Sequence, residues 1–420
     1  MLIKKLLFLF ILISFSFSAY SQKEKCFADV LLQKRLKEDP SLAQRLETQE
    51  RQTQNFIKNY SNQISSREVI TIPVVVHIVW NKAEQNISEE QVRSQIEILN
   101  KDFRNNNPAS AAIPNEFNNL IADIEIEFCL ANRDPDGKAT NGITRTQTAF
   151  EFIVDEYASN NRRRIKHDFL GGHSAWDTKK YLNIWVGKYT PGTLGEAFFP
   201  GVCSDEEDGV IVDPFVFGTK GIAANNTPNN MGRTTTHEVG HYFDLRHLWG
   251  SKLGDCDSDD MVADTPPQFF PTDGCPNHPK TTCSSNDLFM NYMDYTDDAC
   301  MGMFSKGQKL RILAALNGAR SGLLSSDGCQ TVSASYSPSL IGQLDIYPNP
   351  VNNILTVDFS FDIKEELTIR LINVLGKVVY QTRSSPKAIQ QIDVSHFPSG
   401  MYFVRMESGG ASVSKRVVVL

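Results

Sequence analysis

Hydrophobic and polar positions change rhythm several times along the chain. Lys4 and Lys5 precede an apolar run from Leu6 to Phe17, which ends at Ala19-Tyr20-Ser21 before Gln22. A run of about a dozen apolar residues is too short to span a bilayer and predicts a secretory signal over residues 1–21. Residues 22–68 are polar and mixed in charge, with apolar positions at helical spacing and no strand pattern, which predicts a helical pro-segment or linker and not a core. At Ile70 the texture changes. ITIPVVVHIVW is a β-branched run that predicts a buried strand, and SEEQVRSQIEILNKDF from Ser88 predicts an amphipathic helix with a serine N-cap and early glutamates. Strand patterns return in IADIEIEFCLA and YLNIWVGKY, while loop chemistry dominates from Pro191 to about Asn230 and again from Gly250 to Asp298.

After Leu324 the small-residue stretch SSDGCQTVSASYSPS has no periodicity and reads as a linker. From Leu344 onward ILTVDFSF, LTIRLINV, KVVYQT, GMYFVRME and KRVVVL alternate as five short strands, the pattern of a small β-sandwich. The expected organisation is a signal peptide at 1–21, a pro-segment or linker at 22–66, an α+β body at 67–325, a linker at 326–343 and an all-β unit at 344–420.

Composition narrows the partners. The chain has 420 residues with a formal charge of −7, and its acidic excess lies in the central body. Nucleic acid is not an expected partner, since binding it needs basic patches that release counterions. The basic cluster Arg162-Arg163-Arg164 with Lys166 reads as a surface turn. No later segment is long and apolar enough to span a membrane. Eight cysteines in an exported chain make disulfides the default expectation.

The chemistry concentrates in His237-Glu238-Val239-Gly240-His241, with His247 six residues further on. Positions i and i+4 share one helix face, so His237 and His241 can present ring nitrogens to one ion, and Glu238 sits within reach of a water at that ion. A catalytic zinc needs three protein ligands and an open position, and His247 supplies the third if the chain turns back near Asp244. A closed structural zinc site would need four ligands and no base.

Extended by its third histidine, this motif resembles the metzincin metalloproteases, whose pattern is H-E-x-x-H-x-x-G-x-x-H followed by a methionine turn. Asn291-Tyr292-Met293-Asp294-Tyr295 fits that turn. HLWG at 247–250, DDMVADTP at 259–266, DPDGKATNGITR at 134–145 and the run from Thr296 to Met301 resemble the pappalysin family, over roughly residues 70–318. The resemblance implies a mixed twisted sheet, an active-site helix and a loop-rich C-terminal subdomain. It implies zinc on His237, His241 and His247, Glu238 as general base and acid, Met293 as a hydrophobic floor and Tyr295 as an oxyanion stabiliser. Asp298 matches the acidic residue of the family's S1′ pocket, so cleavage on the amino side of arginine or lysine is expected; a solvated loop aspartate is the alternative. Gly240 and the strand around Leu194-Gly195-Glu196-Ala197 are expected near the substrate cleft. The family has glycine where this chain has Asp244.

Four cysteines allow three connectivities. The resemblance pairs Cys256 with Cys283 and Cys275 with Cys300, and leaves Cys129, Cys203 and Cys329 unassigned. Asp255, Asp257, Asp259, Asp260 and Asp264 with Thr265 offer oxygens for a calcium ion, or form a solvated acidic loop. Cys26 resembles a pro-segment cysteine that occupies zinc's open position, and Ser66-Arg67 is the expected activation cut. Residues 344–420, with IYPNPVNN, LINVLGKVVY and IDVSHFPSGMYFVR, resemble the C-terminal sorting domain of type IX secretion cargo. The expectation is an exported, latent zinc endopeptidase acting on proteins or peptides. The alternative is a secreted adhesin or binding protein on an inactive protease scaffold.

Overall fold

The computed structural model describes residues 25–60, 69–154, 164–330, 344–359, 367–374, 377–384, 389–408 and 411–420. The signal peptide, the Ser66-Arg67 pair, Arg162-Arg163 and linker residues 331–343 lie outside them.

The β-branched run forms β1 (Ile70–Trp80), buried along nearly its whole length because both faces are covered. On one edge β2 (Ile126–Leu130) pairs with its first half and β3 (Ile143–Gln147) with its second, all parallel. On the other edge come β4 (Leu182–Gly187) and β6 (Val210–Val212), also parallel, and then the antiparallel edge strand β5 (Gly195–Ala197). Ser88 caps α3 (Glu89–Phe103), its hydroxyl accepting from the Gln91 N–H. Val92, Ile96, Leu99 and Phe103 of α3 pack on Ile72, Val74, Val76 and Ile78 of β1 in one core. Against the same core lies α4 (Arg233–Tyr242), the helix that carries the histidine motif. A two-residue hairpin, β7 (Thr281–Thr282) with β8 (Ser285–Asn286), and α5 (Lys306–Asn317) complete the body.

The N-terminal segment forms α1 (Ala28–Glu38) and α2 (Leu42–Tyr60). It does not lack a core, as its polar composition suggested. Cys26, Phe27, Ala28, Leu31, Leu32 and Leu42 are buried in one cluster with Phe198, Phe199 and Val202 of the body. Polar composition misleads here because α1 and α2 bury one narrow stripe against a neighbour and expose the rest.

Three disulfides are present: Cys256–Cys283, Cys275–Cys300 and Cys129–Cys329. The third pairs two cysteines that sequence spacing left unassigned, and Cys203 stays free. It also ties residues read as the start of a linker to β2: the Asn132 and Arg133 N–H groups donate to the Gly328 carbonyl.

The C-terminal region builds two antiparallel sheets, β9 (Leu344–Tyr347), β10 (Ile354–Phe359) and β13 (Gln390–Asp393) in one, β11 (Leu367–Asn373), β12 (Val378–Ser384), β14 (Gly400–Ser408) and β15 (Ala411–Val419) in the other. Alternating residues such as Leu367, Ile369 and Leu371 fill the space between. β9 and β13 were not expected; they are four-residue strands, too short for alternation to stand out. No helix among the described residues is long and apolar enough to cross a membrane.

Candidate metal centre

Gly232, at φ 75°, opens α4. The helix carries His237, Glu238 and His241 on buried positions, and it is anchored by a carboxylate that sequence reading missed. Asp102 of α3, fully buried, accepts from the Thr236 hydroxyl at 2.7 Å and the Tyr292 phenol at 3.0 Å, and its Oδ1 lies 3.1 Å from Arg233 Nη1. Burial pushes the Asp102 carboxyl up to about 6 against the pull of Arg233.

The helix ends in a tight reversal. Asp244 takes φ 73°, the left-handed region that glycine fills at no cost; its N–H donates to the His241 carbonyl, and the Leu245 N–H to the Gly240 carbonyl. The reversal brings His247 back over the helix. His237 Nδ1 donates to the Tyr292 carbonyl at 2.7 Å, His241 Nδ1 to the Leu245 carbonyl at 2.7 Å, and His247 Nδ1 to Asp29 Oδ2 of the N-terminal segment at 2.6 Å. Each Nδ1 is thereby fixed as the protonated nitrogen, which leaves the Nε2 lone pairs facing inward. The three Nε2 atoms form a triangle with edges of 3.0, 3.1 and 3.1 Å. No two of these acceptor nitrogens can bond to each other while both lack a proton, so the arrangement fits a cation at their centre. Tetrahedral zinc with Zn–N bonds of about 2.0–2.1 Å has ligand edges of about 3.3 Å, close to those observed. Burial, followed by the neighbouring His247 ring, drives His237 down to about 3 and His241 well below its ordinary value, so both are neutral near pH 7.

Trp249 stacks on His247, with ring centroids 4.4 Å apart and planes within 10°, and Phe199 meets His241 edge-on. Met293 lies fully buried beneath α4. Gly240 faces that methionine and not the cleft, contrary to expectation: a Cβ there would stand 2.5 Å from Met293 Sδ. Gly195 on β5 is held to glycine by the other side of the helix, where a Cβ would meet Glu238 Cγ at 2.7 Å and Oε1 at 2.8 Å.

Glu238 has no exposed surface, and its Oε1 has no hydrogen-bond partner. Its Oε2 accepts from the Cys26 thiol at 3.4 Å. Burial raises both groups well above their ordinary values, and for Cys26 the Glu238 carboxylate adds to this. Cys26 Sγ and the ligand nitrogens of the three histidines all lie within 4.8 Å of one another. The segment around Cys26 lies beside the edge of β5: Leu194 N–H donates to the Lys25 carbonyl at 2.9 Å and Phe27 N–H to the Gly195 carbonyl at 3.2 Å. Tyr295 faces His237 and His247 across 5.7 and 5.1 Å between centroids, and its phenol donates to the Cys26 carbonyl at 3.4 Å.

Asp298 lies at the start of α4, its Oδ2 accepting from the N–H groups of Met231 and Arg233. It is buried, not solvated, and burial lifts it to about 6. It lines a small pocket with Lys25, Thr234, His237, Glu238 and Tyr295. Lys25 donates to the Tyr295 carbonyl at 2.9 Å and pairs with Asp273 at 3.3 Å. In the acidic loop, Asp264 holds the N-terminus of α5 through Ser305 and Gly307, and Asp260 accepts from Thr265. Among the described residues the only cluster arranged for a metal is that of Cys26 and the three histidines.

Comparison with known proteins gives a consistent picture. The family profile described as pregnancy-associated plasma protein-A matches residues 165–317, and a secretion system C-terminal sorting domain matches 345–420. An extracellular metalloprotease of Arthroderma otae is 31% identical over 259 residues, 60% of this chain and 80% of that protein. Among solved structures, mature mirolysin of Tannerella forsythia in complex with a cleaved peptide is 45% identical with a TM-score of 0.59, covering 62% of this chain and 97% of its own. A promirolysin point mutant from the same organism is 41% identical with a TM-score of 0.64, covering 72% and 97%.

Proposed function

The chain belongs to the pregnancy-associated plasma protein-A family of metalloproteases and carries a type IX sorting domain for secretion, and we propose that it is a latent zinc endopeptidase cutting on the amino side of arginine and lysine. The observation that carries this reading is the triangle of inward-facing Nε2 atoms with Glu238 beside it on the same helix. His237, His241 and His247 would hold the ion. When bound, zinc supplies Lewis acidity: it polarises a carbonyl oxygen and makes water acidic enough to lose a proton near neutral pH.

The protein's own groups do the rest. Glu238, on α4 beside β5, takes the proton of the attacking water and delivers it to the departing amine. Tyr295 already donates to a peptide carbonyl, that of Cys26. A substrate carbonyl in that place would receive the same hydrogen bond as its oxygen gains charge. The basic preference is supported by the pocket that Asp298 lines and Lys25 shares.

Latency follows from residues 25–60, the docked part of the proposed pro-segment 22–66. They cover the edge of β5 that a peptide substrate would need, and they put the Cys26 thiol on Glu238. Cleavage at Ser66-Arg67 would satisfy the same preference and free the cleft. The test is direct. Activated protein incubated with a peptide holding one internal arginine should cut before that residue, and a chelator should stop it. A peptide left intact, or cut equally after chelation, overturns the reading and favours a binding protein on a protease scaffold.

A further inference from the structure

The turn that delivers His247 contains a residue poorly suited to it. Asp244 stands at φ 73°, where a side chain other than glycine is strained, and it is buried. A buried carboxylate at a strained position is tolerated only with a strong partner. That partner is Arg311 of α5, itself 1% exposed: its Nη2 lies 2.8 Å from Asp244 Oδ2, and its Nε donates to the Asp244 backbone carbonyl at 2.7 Å. One planar guanidinium therefore grips both the side chain and the main chain of the same residue. Arg246 is a second cation acting on Asp244 through charge alone. The outer side of Arg311 takes Glu50 of α2 through two bonds, of 3.0 and 2.6 Å.

What Asp244 fixes is more than its own position. The residue after it, Leu245, presents the carbonyl that orients His241, and three residues on the chain presents His247. A change in the backbone angle at Asp244 would thus shift two of the three imidazoles.

We propose that Arg311 is a positioning residue for the metal centre: by gripping Asp244 at both its carboxylate and its carbonyl, it holds the reversal that aligns His241 and His247. Glycine at 244 makes the grip unnecessary, because it adopts the same angle without strain and brings no charge to neutralise. Arg311 and Asp244 are thus a matched pair, and the loss of one is repaired by changing the other. The inference rests on the reading of the three histidines as metal ligands.

The experiment uses the full chain carrying Glu238→Ala, which blocks self-processing, loaded with zinc and challenged with a chromogenic chelator. Arg311→Met should release zinc about tenfold faster or more, since it strands a buried carboxylate beside the turn. Adding Asp244→Gly to that variant should return the rate to within about twofold of the parent, a rescue that a general packing role of Arg311 would not give. Equal release by parent and Arg311→Met overturns the proposal, as does an unrescued double variant. Should Arg311→Met fail to fold, Asp244→Gly is compared with the double variant: similar release supports the pairing, and a tenfold difference overturns it. A parent chain that takes up no zinc overturns the metal reading itself, and the inference with it.

Discussion

Two of the three imidazoles ride on one rigid helix, while the third arrives on a loop, and the groups that orient them differ accordingly. His237 and His241 give their Nδ1 protons to backbone carbonyls of the catalytic body, those of Tyr292 and Leu245. His247 gives its proton to Asp29, a side chain of the N-terminal segment. The helical half of the centre is therefore complete within the body, whereas the loop half shares its outer support with a segment proposed to be removed. The proposed catalytic base belongs to the permanent half, since Glu238 follows His237 by one residue on α4. Control belongs with the N-terminal segment, whose Asp29 meets His247, whose Glu50 meets Arg311 behind the reversal and whose Cys26 reaches across to Glu238.

The sharpest way to break this division is at Glu238. Glu238→Gln keeps the shape and removes the proposed base, so the processed enzyme should lose about 10³-fold in kcat while its zinc content is unchanged. Zinc loss with the rate would show that the glutamate also supports the ligands, and the helical half would then not separate binding from chemistry. Asp298, from a later loop, accepts hydrogen bonds at the N-terminus of the same helix. Asp298→Asn should cost about 10²-fold in kcat/KM for a peptide cut before arginine and little for one cut before a neutral residue. The pH dependence has the same origin. Burial holds the Asp298 carboxyl at about 6, raised from its ordinary value, so it is charged above that pH and neutral below it. The proposed preference for arginine should fade as kcat/KM is followed from about pH 7 to about pH 5, and Asp298→Asn should flatten that profile. A third, smaller effect tests the rigidity of the helix. Gly240→Ala would press a methyl group onto Met293 Sδ and should cost about 2 kcal/mol of stability in urea unfolding of metal-free protein.

Much of this centre was legible in the chain because helical spacing is a local property. The i, i+4 relation of His237 and His241 needs nothing beyond 3.6 residues per turn. Likewise Ser88 signalled the cap of α3, and the run from Ile70 to Trp80 signalled a strand covered on both faces. What escaped notice depends on residues distant in sequence. Asp102 supports a helix more than 130 residues away, and its sequence signal is one aspartate near the end of an amphipathic helix. Arg311 has the look of an exposed charge on α5 until the reversal at Asp244 is placed against it. The pairing of Cys129 with Cys329 closes a loop of 200 residues that no spacing rule reaches. The buried stripe of the N-terminal segment is invisible for a related reason: its partners Phe198, Phe199 and Val202 lie in a stretch that reads as loop.

The smallest expected effect returns to the third imidazole. Asp29 contributes a charge as well as an acceptor, and a hydrogen bond to a charged group is worth about 1.5–3 kcal/mol. Asp29→Asn keeps an acceptor near His247 Nδ1 and removes the charge, so it should loosen the docked segment without altering the body. The lag before full-length protein begins to cut peptide should shorten about tenfold, the factor that corresponds to about 1.4 kcal/mol. Enzyme from which the segment has already been removed should match the parent in kcat and in zinc retention, because residue 29 is no longer part of it. An unchanged lag would mean that the body alone orients His247, as it does His237 and His241. Slower chemistry in the processed enzyme would mean that the loop was set permanently by the departed segment during folding. Either result would erase the contrast between the two halves; a shortened lag with an unaltered processed enzyme would confine the role of Asp29 to latency.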